Sequence, residues 1–252
     1  MIPSLRSLRL VDLGCLILHE AHDENRLIRL RDRMKAEGEQ RNPVIVSPHE
    51  DRYLVLDGAH RVHALEELGS PLALVQMVEV PDDAEGWGHL LGALKTGELG
   101  SLRGVEASDE PGPNPLAEVE ADGVGTVFLS STAEGLRELV GALWSLQSLY
   151  PKGVVHRVEP QAAVSLPEGG ALIRYRGFTP KELAAIVDSG TVLPAGITRF
   201  RIEERVLGVN YPLRSMSGGD LDALNDQLAE YVRRRWNEGR VRFYGEPVVL
   251  FE

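Results

Sequence analysis

Apolar and polar positions change their spacing several times along the first eighty residues, and each spacing predicts one kind of element. Short apolar runs predict buried strands at LGCLIL (13–18), 44–46, 53–56 and 72–80. Apolar residues recur every three or four positions in two segments that end at glycines, and these predict helices at 22–37 and 59–68. This order of strands and helices predicts a small α/β or α+β unit.

The rest of the chain predicts a second unit of mixed structure. Its predicted elements are a strand at 124–130, an amphipathic helix at 134–149, a helix at 183–187, a long helix at 220–236 and two short strands in the tail VRFYGEPVVLFE. Thr179 and Glu182 have the spacing of a capping box ahead of the predicted helix at 183–187. We therefore expect an α+β fold with two lobes, 1–100 and 101–252.

Two central segments are expected to contain no strand. ASDEPGPNPLAEVEADG (107–123) holds three prolines within 111–115, which predict a solvated loop or boundary. GHLLGALKT (88–96) predicts a short amphipathic helix. Its glycines superficially resemble a P-loop, but Lys95 does not directly follow Gly92, so the Walker geometry fails.

Composition narrows the possible functions. Hydrophobic residues make up 43% of the 252 positions and charged residues 26%, which excludes wholesale disorder. The net charge of −11 argues against a broad DNA-binding face, although a local pocket could still hold a small anion. No apolar run reaches the roughly 18 residues that a membrane helix needs, and the first residues show no signal peptide. With Cys15 as the single cysteine, we expect a soluble cytoplasmic protein without nucleic-acid or membrane partners.

The most informative stretch is YLVLDGAHRV (53–62), where a predicted strand runs directly into a predicted helix. Gly58 permits a tight turn between them. The first helical N–H groups, near Ala59, His60 and Arg61, have no intrahelical partners and lie at the positive end of the helix dipole. A phosphate is stabilised at such a position, and the His60 and Arg61 side chains add further donors. We therefore predict a phosphate-binding turn at 58–61.

Asp57 does not fit a simple phosphate site, because a carboxylate repels phosphate. It suits either a helix cap or a functional group that holds a cation or moves a proton, and His60 and Arg61 beside it favour function. Zinc chemistry is not indicated. The histidine pairs His19/His22 and His60/His63 are three residues apart, unlike the H-E-x-x-H spacing, and no thiolates could complete a site.

The chain resembles a known family in three segments. DGAHRVHALEELG, with RLIRLRDRMKAEGEQRNPVIV before it, is similar to the DG-x-HR helix and N-P-x-x-V strand of the ParB/sulfiredoxin fold. LPAGITRFRIEERVLGVNYPL and VRFYGEPVVLFE resemble the later segments of the free L-serine kinases, which have that fold. The resemblance spans nearly the whole chain apart from the acidic middle. It implies a ParB/sulfiredoxin-like nucleotide-binding lobe at 1–100 and a second α+β lobe at 101–252 that contributes to the substrate cleft.

The resemblance also implies an activity: transfer of a phosphoryl group from ATP or ADP, with Mg²⁺, to free L-serine. In this interpretation Glu20 is the base that accepts the hydroxyl proton, because phosphoryl transfer to serine needs such a group. Asp57 either holds Mg²⁺ through the phosphates or shares the proton task. The residues implied to bind nucleotide or phosphate are Asn42, Gly58, Ala59, His60 and Arg61.

The implied serine-binding residues are Trp87, Thr198 and Arg199. One departure from the family pattern concerns the acceptor: the family usually has histidine after Thr-Arg, whereas this chain has Phe200. The sequence leaves open whether ATP or ADP is the donor, and the oligomeric state.

Two rival functions follow from the same fold. A ParB-like nucleotide- or DNA-binding regulator without catalysis would be expected to have a helix-turn-helix after the first lobe and a basic face. Residues 79–122 instead carry 11 acidic and 2 basic side chains. Sulfiredoxin-type repair needs a cysteine at the phosphate-binding turn, and this turn has none.

Overall fold

The computed structural model describes residues 2–79, 84–151, 153 and 155–245. The chain begins with a sheet and three helices. Their bounds are α1 (Pro3–Arg6), β1 (Leu8–Asp12), β2 (Leu16–Leu18), α2 (Glu24–Glu37), β3 (Glu39–Gln40), β4 (Val44–His49), β5 (Arg52–Asp57), α3 (Ala59–Glu67) and β6 (Leu72–Met77). Five of these strands form a mixed sheet in the order β1-β6-β4-β5-β2. β2 runs parallel to β5 and β4 parallel to β6, while the other two pairings are antiparallel.

The next segment forms a second sheet with two helices. Its bounds are β7 (Glu85–Gly86), β8 (Gly88–Leu91), β9 (Val105–Ser108), β10 (Pro115–Ala121), β11 (Gly125–Ser131), α4 (Leu136–Gln147), β12 (His156–Val158), β13 (Ala171–Tyr175), α5 (Pro180–Asp188) and β14 (Thr198–Arg199). Six strands pair antiparallel in the order β12-β8-β13-β10-β11-β9. Strands β7 and β14 form a separate small ladder.

The C-terminal segment returns to the first sheet. It contains β15 (Tyr211–Pro212), which pairs with β3, and α6 (Leu221–Asn237). Single turns of 3₁₀ helix lie at Leu13–Cys15, Thr96–Ser101 and Leu213–Met216. No helix in the described ranges combines the length and apolar character required to span a bilayer.

Two hydrophobic clusters define two lobes. The first contains Leu10, Leu65 and Leu74 from the first sheet and its helices, together with Leu228 and Val232 of α6. The second fills the space between the six-stranded sheet and helices α4 and α5, and it also reaches the other face of the first sheet. The expected boundary at residue 100 does not follow these clusters, because β7 and β8 lie in the second lobe and α6 belongs to the first.

Local signals account for most of the helix boundaries. Asp23 caps α2 by accepting from the Arg26 N–H at 2.8 Å, and Gly38 ends that helix with φ of 68°. The capping box predicted for α5 is confirmed, since the Glu182 carboxylate accepts from the Thr179 N–H at 2.8 Å and the Thr179 hydroxyl accepts from the Glu182 N–H at 3.3 Å. The α+β fold class is likewise confirmed.

The predicted helix at 88–96 is wrong, because this segment begins as strand β8. Glycine permits unusually close packing here: a Cβ on Gly86 would lie 1.9 Å from the Tyr175 carbonyl oxygen, and one on Gly88 would lie 2.8 Å from the Val158 side chain. The LGCLIL segment is a strand only over its second half, after a 3₁₀ turn.

The acidic middle is not a loop throughout. Within 107–123 only 109–114 and the turn at 122–123 lack strand structure, and β10 is an inner strand of the second sheet. Leu116 and Val119 are buried, whereas Glu118 and Glu120 alternate with apolar positions and pair with Arg174 of β13. An alternation of this kind is typical of a half-buried strand, and it outweighs the prolines that precede it. In the tail, 241–245 has no regular structure and 246–252 lies outside the described residues.

Candidate active site

One cleft of about 1330 Å³ lies between the two lobes. All ten residues that the sequence predicts for the site line it, although their roles stay predictions. The cleft is basic in a chain that is acidic overall: four acidic side chains line it, against nine arginines. These are Arg26, Arg29, Arg33, Arg41, Arg61, Arg157, Arg199, Arg201 and Arg205. Such a concentration of one charge in a cleft attracts anionic ligands.

The turn at 58–61 has the backbone expected for a phosphate site. Gly58 adopts φ of 117°, a conformation that other residues rarely adopt, and a Cβ on Gly58 would lie 2.8 Å from the Arg61 guanidinium. The Arg61 N–H already donates to the Gly58 carbonyl at 2.8 Å, which differs from the expectation of a free group. Among the described residues, the N–H groups of Ala59 and His60 have no hydrogen-bond acceptor, so they remain able to bind an anion.

His60 is a neutral donor at this turn. Its Nε2 accepts a hydrogen bond from the Asp23 N–H at 3.0 Å, so the ring proton lies on Nδ1. Burial, together with the charges of Arg26 and Arg157, lowers the pKa of His60 to about 4. The side chain therefore offers phosphate an N–H group and not a positive charge.

Asp57 is held by two arginines. Its Oδ2 accepts from Arg205 at 2.5 Å, and its Oδ1 lies 3.6 Å from the Arg61 guanidinium. Partial removal from water would by itself raise the pKa of the half-exposed Asp57 carboxyl, but the charges of Arg61 and Arg205 outweigh it and lower the pKa below its usual value. Asp57 is thus ionised at neutral pH and is a poor proton acceptor.

Glu20 lies at the point where the two lobes meet. Its backbone forms a bridge with Leu193, and its carboxylate reaches the start of β14 and the residues just before it. Oε2 accepts from the Gly196 N–H at 2.9 Å, and Oε1 accepts from the Thr198 N–H at 2.5 Å and lies 2.5 Å from the Thr198 hydroxyl. Glu20 lies outside helix α2, which begins at Glu24.

His19 is a buried member of the site that the sequence does not single out. Its Nδ1 donates to the Val55 carbonyl at 2.8 Å, and its Nε2 lies 2.7 Å from the Thr198 hydroxyl. The ring packs edge-on against Phe200, which is only 4% exposed. Position 200, where the family pattern has histidine, therefore forms part of the apolar wall around His19.

The predicted serine-binding residues lie together beside Glu20. The Arg199 guanidinium lies 5.3 Å from the centre of the Trp87 ring and is ion-paired with Glu85 and, at 2.7 Å, with Glu159. Its carboxylate-binding capacity is therefore partly used within the protein. Asn42 lines the cleft on the side of the first lobe and accepts from the Gly208 N–H at 2.8 Å.

The sequence does not single out three further arginines of the cleft, Arg26, Arg157 and Arg205. Arg157 lies in the short strand β12. Its guanidinium packs so closely on Gly196 that a Cβ there would lie 1.8 Å from it. Neither Arg157 nor Arg26 forms a side-chain ion pair or hydrogen bond within the described part of the chain. Arg205 lies in the segment that carries the family resemblance, but its partner Asp57 is 148 residues away and no local pattern connects the two.

Magnesium fits this site in a limited way. No group of three acidic, histidine or cysteine side chains that could hold a metal occurs among the described residues. Mg²⁺ is, however, commonly bound by one or two carboxylates together with substrate phosphates. Asp57 could serve in that manner through Oδ1, which accepts no hydrogen bond from the described residues.

Comparison with known proteins identifies relatives that are similar over most of the chain. No family model matches. The ATP-dependent L-serine kinase SbnI of Staphylococcus aureus is 27% identical over 256 residues, which cover 97% of this chain and 97% of that protein. An ATP-dependent L-serine kinase of Staphylothermus marinus is 42% identical over 62 residues, 24% of this chain and 25% of that protein.

Solved structures agree with this result at the level of the fold. C-terminally truncated SbnI from Staphylococcus aureus superimposes with a TM-score of 0.79 at 23% identity, covering 94% of this chain and all of that one. A free serine kinase in complex with AMP gives a TM-score of 0.64 at 18% identity, covering 83% of this chain and 93% of that one. The resemblance to the free serine kinases, inferred from three sequence segments, is thereby confirmed.

Proposed function

We propose that this chain is a kinase that transfers the γ-phosphoryl group of ATP to the hydroxyl of free L-serine, giving O-phospho-L-serine and ADP. One observation carries the proposal: the phosphate-binding turn at 58–61 and the Glu20 carboxylate open onto the same arginine-lined cleft. The names of the two relatives support the identity of donor and acceptor.

The first lobe binds the nucleotide in this proposal. The free N–H groups of Ala59 and His60, at the N-terminus of α3, donate to the phosphates, and the neutral His60 side chain adds a donor. Arg61 supplies positive charge from the same turn. Asn42 lies on this side of the cleft and contributes to nucleotide binding.

Charge stabilisation comes from both lobes. Phosphoryl transfer places negative charge on the equatorial oxygens, and catalysis consists largely of positioning and electrostatic stabilisation. Arg26 from the first lobe and Arg157 from the second have no ion-pair partner among the described residues, so their charges are available to the phosphates. Mg²⁺, when bound, neutralises phosphate charge, and Asp57 would hold it through Oδ1.

The second lobe binds serine beside the base. Thr198, Arg199 and Trp87 form this wall of the cleft, and Arg199 retains donors that Glu85 and Glu159 do not use, since a guanidinium has five N–H groups. Glu20 accepts the proton of the serine hydroxyl as the new phosphorus–oxygen bond forms. Asp57, which the two guanidinium groups keep ionised, does not share that task.

Incubation of the full chain with L-serine, Mg²⁺ and either ATP or ADP tests the proposal, with phosphoserine followed by mass spectrometry. We expect phosphoserine with ATP, and product with ADP alone would reassign the donor. Homoserine and threonine, tested in parallel, show whether Phe200 has changed the acceptor. Tight nucleotide binding without any phosphorylated amino acid would overturn the kinase function and favour a regulator.

A further inference from the structure

A buried chain of hydrogen bonds runs away from the cleft behind Glu20. It connects Glu20 Oε1 to the Thr198 hydroxyl at 2.5 Å, that hydroxyl to His19 Nε2 at 2.7 Å, and His19 Nδ1 to the Val55 carbonyl at 2.8 Å. His19 is 4% exposed and Thr198 7% exposed. The proton acceptor of the proposed reaction is therefore the cleft-side end of a buried polar network.

This network has two states, which differ in whether Glu20 is ionised or protonated. The Val55 carbonyl can only accept, so Nδ1 carries the imidazole proton, and Nε2 of a neutral ring can only accept. The Thr198 hydroxyl has one proton for two neighbours, Glu20 Oε1 and His19 Nε2. With ionised Glu20 and neutral His19, one of the two contacts lacks a proton, and a proton added to Glu20 satisfies both.

The surroundings of the His19 ring disfavour the ring as the place for that added proton. Burial lowers the pKa of His19, although the Glu20 charge and the bond to Val55 act in the opposite direction. The other neighbour of the ring is the uncharged Phe200 side chain. Arg157 is the cation that faces Glu20 from the second lobe, across Gly196, with Asp57 and Arg26 beyond it.

We propose that Thr198 and His19 act as a hydrogen-bond relay that accommodates the substrate proton, with the Thr198 hydroxyl donating to ionised Glu20 before transfer and to His19 Nε2 after it. In the relay both residues act through Glu20 as positioning residues, and Thr198 does so in addition to its place in the serine-binding wall. This inference rests on the proposed function for its role in the reaction, while the hydrogen-bond pattern itself can be tested without activity.

The proposed step balances in atoms and charge. The serine Oγ–H bond breaks, Oγ forms a bond to the γ-phosphorus, and the bond from that phosphorus to the bridging oxygen of ADP breaks. The proton moves to Glu20, whose Oε1–H then donates to Thr198 Oγ while the Thr198 hydroxyl turns to His19. The proton leaves Glu20 to solvent through the cleft after the product departs.

Two pairs of variants test the relay through the pH dependence of kcat. His19→Asn keeps the donor to Val55 but cannot reach Thr198, so the hydroxyl donates only to Glu20 and the ionised carboxylate is favoured. We expect the acid limb of the kcat profile to move to lower pH by about one unit, the size of one hydrogen bond to a charged group. We expect kcat to fall about tenfold, less than the 10²–10⁴-fold that a general base contributes. His19→Gln, whose side chain reaches the Nε2 position, should restore much of the rate.

Thr198→Val removes the hydroxyl donor, so it should move the acid limb in the opposite direction, to higher pH, and Thr198→Ser should restore it. A loss of packing alone would not move the acid limb in opposite directions in the two variants. If wild type makes phosphoserine and the acid limb stays in place in both variants, the relay is overturned and the kinase function stands. If wild type makes none, the proposed function fails, and the relay is decided by the next measurement.

Nitrogen NMR of the His19 ring provides that measurement on the wild-type protein. We expect a neutral ring with the proton on Nδ1 at pH 7. A proton on Nε2, in either the other neutral tautomer or an imidazolium, would overturn the relay, because Nε2 could then no longer accept from Thr198.

Discussion

The two carboxylates of the cleft, Glu20 and Asp57, are held by opposite kinds of partner. Backbone N–H groups and a hydroxyl from the second lobe hold Glu20, all of them uncharged. Guanidinium groups of Arg61 and Arg205 hold Asp57. Two arginines keep a carboxylate ionised against added protons, whereas neutral donors fix its position without adding positive charge. This difference supports the proposed division of roles, with Glu20 as proton acceptor and Asp57 among the phosphate-binding charges, a division that the sequence leaves open.

The largest expected effect concerns Glu20. Glu20→Gln removes the proton acceptor, so we expect kcat to fall by about 10²–10⁴, the usual contribution of a general base. Each carboxylate oxygen also faces a backbone N–H, and the new NH₂ group must oppose one of them. We therefore expect a loss of about 1–3 kcal/mol in unfolding free energy, the cost of an unsatisfied buried donor, measured by denaturant titration.

Asp57→Asn is the matched control for that variant, because it makes the same chemical change on the other side of the cleft without opposing any backbone N–H. We expect it to retain more kcat than Glu20→Gln. The reverse order would show that the two carboxylates have been assigned the wrong way round.

The second effect concerns the charge at the turn. Arg61→Ala should weaken nucleotide binding by about 1.5–3 kcal/mol, the range for a hydrogen bond to a charged group, as measured by calorimetry. Arg233→Ala, which removes an exposed arginine of α6, is the control and should leave the affinity unchanged. Equal affinities for Arg61→Ala and wild type would mean that the phosphates bind elsewhere in the cleft.

The third effect concerns Gly58. Gly58→Ala forces a side chain into a left-handed backbone conformation and towards the Arg61 guanidinium, so we expect about 1–3 kcal/mol of destabilisation. Combining it with Arg61→Ala removes the collision and leaves only the backbone strain. Thermal melts of the four proteins should therefore show less than additive losses, and strict additivity would mean that Arg61 does not lie over Gly58.

The smallest effect concerns how the stability contributed by Asp57 depends on pH. The Asp57 side chain is 46% exposed, so its ion pairs should contribute no more than about 1 kcal/mol. Because the folded protein lowers the pKa of Asp57, this contribution is fully present above the unfolded value of about 3.9 and is lost as the pH falls below it. The stability difference between wild type and Asp57→Asn should be constant near neutrality and shrink in acid. A difference that grew in acid would contradict the lowered pKa.

Local signals explain why part of the molecule could be predicted. The turn at 58–61, with its glycine between a strand and a helix, follows from the local sequence, and α5 follows from its Thr179/Glu182 capping box. These features depend on residues within a few positions of one another. Strand β8 was missed because the close packing of its Gly88 arises only where the strand meets Val158, which is distant in sequence.

The partners of Glu20 could not be predicted for the same reason. Gly196 and Thr198 lie 176 and 178 residues further along the chain, and two of the three bonds that they make to Glu20 come from backbone N–H groups that any residue except proline would supply. His19 sits next to Glu20 in the sequence, yet its importance depends on Thr198 as well. A resemblance to a family can indicate that such residues belong together, but only the fold shows which atoms meet.

Asn225 of α6 has a consequence for how the protein is made. Its side chain accepts from the Leu10 N–H at 2.8 Å and donates to the Leu10 carbonyl at 3.0 Å, and so covers the open edge of β1, 215 residues earlier in the chain. At bacterial or eukaryotic translation speeds of 5–20 residues per second, that edge waits about 10–40 s for its cover. An uncovered edge strand can pair with another chain. A ribosome that stalls late in the message would therefore hold a nascent chain whose β1 edge stays uncovered, and we expect that chain to be prone to aggregation.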